Sequence, residues 1–67
     1  MSKVEWLTGW QQDDCYDPIH REALVRVDGR VWRLHDAMPG YGGFSAYHYP
    51  YDGHMVMVDR VEDLLKA

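Results

Sequence analysis

The chain has 67 residues, 46% of them hydrophobic, with seven basic against eleven acidic side chains and a net charge of −4. That length makes one domain, residues 1–67, which buries only about 60% of the surface its unfolded chain exposes. The negative total excludes a general duplex-DNA binder, which needs a basic face to release counterions. The one cysteine, Cys15, excludes an internal disulfide and points to a reducing, cytoplasmic compartment. No stretch of about 18 apolar residues occurs and the N-terminus lacks an apolar leader core, so neither a membrane span nor a signal peptide is expected.

In chain order, Val4-Glu-Trp-Leu7 is a candidate edge strand, and Thr8 to Asp17 is polar and acidic and expected to be loop. Asp17-Pro18 has the form of a helix start, Asp as cap and Pro at the first helical position, so a single turn is expected over 18–21. The clearest element is Val25-Arg-Val-Asp-Gly-Arg-Val-Trp-Arg-Leu34. Asp28-Gly29 supplies the positive φ angles of a two-residue hairpin turn. That turn pairs Val27 with Arg30, Val25 with Trp32 and Ala23 with Leu34, which puts Ala23, Val25, Val27, Trp32 and Leu34 on one apolar face. Leu24, Arg26, Val31 and Arg33 take the other.

Residues 38–45 are expected to be loop by their glycines and proline, with a short strand over 46–49 ended by Pro50 and a tight turn at Asp52-Gly53. His54-Met-Val-Met-Val58 alternates with apolar residues on both faces, which predicts a central strand covered on each side. Asp59-x-x-Glu62 fits a capping box that opens a C-terminal helix with an apolar stripe of Val61, Leu64 and Leu65. The fold class is therefore α+β: a small antiparallel sheet of three to five strands, either open or curled into a partial barrel, with one short C-terminal helix.

Catalytic motifs are missing where they would be looked for. Pro39-Gly-Tyr-Gly-Gly-Phe44 lacks the Gly-Lys-Ser/Thr end of a phosphate loop, and no lysine lies between Lys3 and Lys66. Cys15, His20, His35, His48 and His54 follow none of the local metal-ligand spacings. Ser45 and His48 lie outside a nucleophile elbow, and Asp13-Asp14 has no apolar surround to raise a carboxyl pKa. The expectation is a non-enzymatic chain with no metal and no cofactor.

The segment from Tyr41 to Tyr51 carries Tyr41, Phe44, Tyr47, Tyr49 and Tyr51 among Gly, Ser and Pro without a basic residue. Tyr gives a large, rigid contact at low entropy cost, and such mixtures serve as binding loops. Strand alternation aligns Tyr47, Tyr49 and Tyr51. A partner-binding surface is expected from these five residues with Trp10, and Asp13, Asp14 and Asp17 would steer the chain to a basic surface on a larger intracellular protein, for example a nucleic-acid-processing complex. The competing expectation is that the same rings pack with Trp6, Trp10 and Trp32 into an aromatic core.

Two rival functions remain. Aromatics flanked by Arg26, Arg30 and Arg33 suit single-stranded nucleic acid, although the aromatic segment has no cation of its own. An aromatic stripe also suits an obligate homo-oligomer. In bulk properties, though in no motif, the chain resembles small accessory proteins of phages and mobile elements, many of which inhibit or modulate a host protein by binding it.

Overall fold

A computed structural model describes residues 3–13, 20–37 and 42–66. Six antiparallel strands run through it: β1 (Val4–Trp6), β2 (Gln11–Asp13), β3 (His20–Val27), β4 (Arg30–Asp36), β5 (Phe44–His48) and β6 (Met55–Val58). They form an open sheet in the order β1-β3-β4-β5-β6, with β2 also paired to β3, and a 3₁₀ helix over Val61–Lys66 ends the chain. The strand count exceeds the expected three to five, and of the two expected forms the sheet takes the open one.

The hairpin forms as its sequence requires. β3 pairs with β4 in the register Val27 to Arg30, Val25 to Trp32 and Ala23 to Leu34. Asp28 and Gly29 both take positive φ, 49° and 86°, which matches the right-handed twist of the flanking strands. The Asp28 carboxylate also accepts the backbone N–H of Lys3 at 2.9 Å, tying β1 to the turn.

β3 is eight residues long, and its second edge is shared. β1 pairs with Val25–Val27, while β2 pairs with His20–Glu22. Between them Leu24 is satisfied by Leu7 and Thr8: its carbonyl accepts both their N–H groups, and its N–H donates to the Thr8 hydroxyl. Three expectations are corrected here. Gln11–Asp13 is a strand rather than loop, and His20 and Arg21 open β3 rather than close a helical turn. Phe44 and Ser45 likewise belong to β5 rather than to the preceding loop.

One face of the sheet carries the core: Ala23, Val25, Val27, Trp32, Leu34, Phe44, Ala46 and Val58. Val61 and Leu64 of the 3₁₀ helix are buried against it, and Val4, Trp10, Val56 and Leu65 pack around it. The helix starts differently from the expected capping box. Asp63, not Glu62, reaches back, its carboxylate accepting the N–H groups of Asp59 and Arg60. Six residues are too few for a stable α-helix, and the tighter 3₁₀ form is common in such short pieces.

Among the described residues β6 pairs only with β5, and so lies at the edge of the sheet. The expectation of a central strand covered on both sides is overturned: Met55 and Met57 are exposed. No helix among the described residues is long and apolar enough to cross a membrane.

Candidate functional site

Strand alternation sorts the side chains by face. Opposite the core lie His20, Glu22, Leu24 and Arg26 of β3, Val31, Arg33 and His35 of β4, Ser45 and Tyr47 of β5, and Met55 and Met57 of β6. Tyr49 extends this face beyond β5, its N–H donating to the Val31 carbonyl. Tyr51 returns to set its ring edge-to-face on Tyr47 at 5.6 Å. The 3₁₀ helix, Trp10 and Trp32 pack on the other, core side. An open depression of about 780 Å³ runs across it, walled by His20, Glu22, Arg33, His35, Tyr47 and Tyr49 among others.

The apolar part of this face is concentrated at β5 and β6. Tyr49 is 53% exposed, Tyr51 64%, Met55 46% and Met57 66%. Tyr47 faces Met55 across the strands, and the Ser45 hydroxyl donates to the Met57 sulfur at 3.3 Å.

The predicted contact residues divide. Tyr47, Tyr49 and Tyr51 come together on the uncovered face. Phe44 does not join them: it is 9% exposed and part of the core, because it sits an odd number of residues from Tyr47 and so points to the opposite side. Trp10 also lies over the core, with its ring 5.4 Å from Phe44 and 6.0 Å from Trp6 in edge contacts and the Arg21 guanidinium 4.4 Å above it. Phe44 is thereby removed from the contact surface, whereas Trp10 is half-buried and packs on the core side, away from Tyr47. Asp13 sits in β2 opposite His20. Asp14, Asp17, Tyr41 and Cys15 lie outside the described residues.

Sequence reasoning missed Met55 and Met57. Their apolar character made them look covered, whereas their exposure follows from β6 being an edge, a fact of topology.

The arginines are tied to partners within the chain. Arg26 pairs with Glu5 at 3.2 Å, Arg33 with Glu22 at 2.6 Å, Arg21 with Asp36 at 3.0 Å and Arg60 with Asp63 at 3.6 Å. Arg30 approaches His48 Nδ1 at 3.1 Å.

On the core side, His48 and His54 stack at 4.2 Å beside Trp32. His48 Nδ1 is also 2.9 Å from the Asp52 carboxylate. One nitrogen cannot both donate to Asp52 and accept from Arg30, so these two hydrogen bonds are alternatives. The bond from His48, followed by the N–H of His54, holds the Asp52 carboxyl below its ordinary value. Asp63 is lowered too, first by the N–H of Arg60. An imidazole–carboxylate pair still needs a nucleophile to make a hydrolytic triad, and the Ser45 hydroxyl lies on the opposite face of the sheet.

Among the described residues, no three His, Cys, Asp or Glu side chains gather to hold a metal ion. Compared with known proteins, the chain matches no family, no curated protein and no solved structure.

Proposed function

We propose that this chain is a non-enzymatic protein-binding module that docks a larger partner on the uncovered sheet face at β5 and β6. The observation that carries this reading is the run of exposed Tyr49, Tyr51, Met55 and Met57 around Tyr47, on a sheet whose other face is already covered. Aromatic and methionine side chains are the ones enriched at interface centres. The edge adds a second means of attachment. His48 donates to the His54 carbonyl, so alternation turns the N–H and C=O groups of Val56 and Val58 toward β5 and those of Met55 and Met57 outward. A partner strand could add there, its backbone giving affinity and its side chains meeting the methionines. The resemblance in bulk properties to accessory proteins makes an inhibitor or modulator of an intracellular complex the form we favour, with Asp13, Asp14 and Asp17 as steering charges.

The single-stranded nucleic-acid reading is the weaker one, because phosphate contacts need available cations and Arg26 and Arg33 are already occupied by Glu5 and Glu22.

Wild-type and Tyr51→Ser/Met57→Ser chains, used as parallel baits, test the proposal. Anchor truncations typically cost about 2 kcal/mol, or roughly 30-fold in affinity. A partner held by the wild type should be lost from the double variant, while the thermal midpoint stays nearly unchanged because both side chains are exposed. Equal retention by the two baits would reject this surface.

Self-association through β6 is the second reading, favoured by the lack of any charged residue between His54 and Asp59. Natural edge strands are commonly guarded by charge. A two-fold axis at Val56 would pair Met55 of one copy with Met57 of the other, both outward-facing, and continue the sheet. Sedimentation at micromolar concentration should then give a dimer that Met57→Lys returns to monomer. A wild-type monomer would end this reading.

A further inference from the structure

His20 and His35 are not needed by the protein-binding reading, and their geometry has a chemistry of its own. They occupy the uncovered face on neighbouring strands, His20 at the start of β3 and His35 near the end of β4, where Glu22 is the residue directly opposite His35. Their rings meet edge-to-face with centroids 5.0 Å apart, and His20 Nδ1 lies 3.3 Å from His35 Nε2.

The geometry points to a divalent transition-metal site of the zinc class, chelated by His20 Nδ1 and His35 Nε2. Zinc–imidazole bonds are about 2.0–2.1 Å long, and two such bonds at a tetrahedral angle hold their nitrogens about 3.3–3.4 Å apart. The observed 3.3 Å separation matches that span, and admitting the cation then requires the rings to turn both lone pairs from each other toward one common point.

In the hydrogen-bonded pair one facing nitrogen carries a proton. For both to offer lone pairs, that ring exchanges the proton through solvent to its other nitrogen, a change of tautomer with no net change in charge. β3 and β4 are adjacent strands of the hairpin, so the chelating pair is carried on rigid elements rather than loops.

Glu22 does not supply a third bond in this arrangement, because both its oxygens are engaged by Arg33, at 3.4 and 2.6 Å. Among the described residues no third His, Cys, Asp or Glu joins the pair, so two side chains carry the proposed site. Imidazole donors select Zn²⁺, Ni²⁺ and Cu²⁺, whereas Ca²⁺ and Mg²⁺ require oxygen cages. The site would thus discriminate by donor type. Its existence is independent of the protein-binding surface, and its failure would leave that reading where it stands.

The test is titration of the tag-free full chain with ZnCl₂ and, separately, CaCl₂ in a non-chelating buffer, followed by backbone and imidazole NMR. Saturable binding of one Zn²⁺ at micromolar concentration is expected, with the largest shifts at His20 and His35 and no response to Ca²⁺. His35→Gln and His20→Gln should each weaken binding at least tenfold, and His54→Gln, which alters the other histidine pair, should not. No saturation up to millimolar Zn²⁺, or wild-type shifts centred away from His20 and His35, would overturn the site. So would binding that survives both glutamine variants. The wild-type shift map decides the matter even if a variant folds poorly.

Discussion

Leu34→Ala should leave most of the chain unfolded at 25 °C. Leu34 has no exposed surface, and its register neighbours on the two adjacent strands are Ala23 and Ala46, both buried. One long side chain thus fills the centre of the core between two short ones. Neighbours as short as alanine cannot move in to close the space, so the loss should fall toward the upper part of the 2–5 kcal/mol range for Leu→Ala. A core of this size supplies only about 3–5 kcal/mol in total. Urea unfolding followed by circular dichroism should show the wild type with a folded baseline and the variant without one. A loss below about 1 kcal/mol would mean that the centre of the sheet is not packed as described.

The same position shows why the hairpin was legible. Asp28-Gly29 fixes a turn, the turn fixes the register, and the register places Ala23, Val25, Trp32 and Leu34 on one face before any tertiary contact is considered. The C-terminal stripe of Val61, Leu64 and Leu65 was legible for a similar reason, since its spacing is local. β2 was not. Gln11-Gln12-Asp13 has no apolar alternation, and it is a strand because β1 ends at Trp6 and leaves the edge of His20–Glu22 open to whatever segment follows. Pairing of that kind is supplied by the neighbour's backbone and leaves no mark in the side chains.

The candidate site divides along the same line. Alternation aligned Tyr47 with Tyr49, and the same rule, carried back three residues, would have sent Phe44 into the core. Met55 and Met57 were harder. An apolar residue on each face of a strand describes a buried central strand and an exposed edge strand equally well, and only the strand order separates them. The ion pairs that occupy the arginines depend on registers across three strands, Glu5 against Arg26 and Glu22 beside Arg33. The sequence displayed a run of cations. The fold matches Arg26 and Arg33 with carboxylates, and this weakens the nucleic-acid reading.

Arg21→Met should cost about 2–3 kcal/mol, less than Leu34→Ala but more than any other single ion-pair change in the described part of the chain. Arg21 lies between the Trp10 ring and the Asp36 carboxylate, which accepts from its Nε at 3.1 Å and its Nη2 at 3.0 Å. Asp36 is 4% exposed, so losing Arg21 takes a countercharge from a carboxylate that water scarcely reaches. Removing one partner of a buried pair commonly costs about 3–5 kcal/mol, and the one-third exposure of the Arg21 side chain lowers that figure through solvent screening. Methionine keeps an apolar stem and a polarisable sulfur beside Trp10, so Arg21→Ala should lose roughly a further 0.3–1.5 kcal/mol of packing. By contrast Arg26→Met breaks a pair exposed at both ends and should change stability by less than about 1 kcal/mol. Urea midpoints for the three variants should therefore fall in the order Arg26→Met, Arg21→Met, Arg21→Ala. Equal losses for Arg21→Met and Arg26→Met would mean that Arg21 is not the countercharge on which buried Asp36 depends.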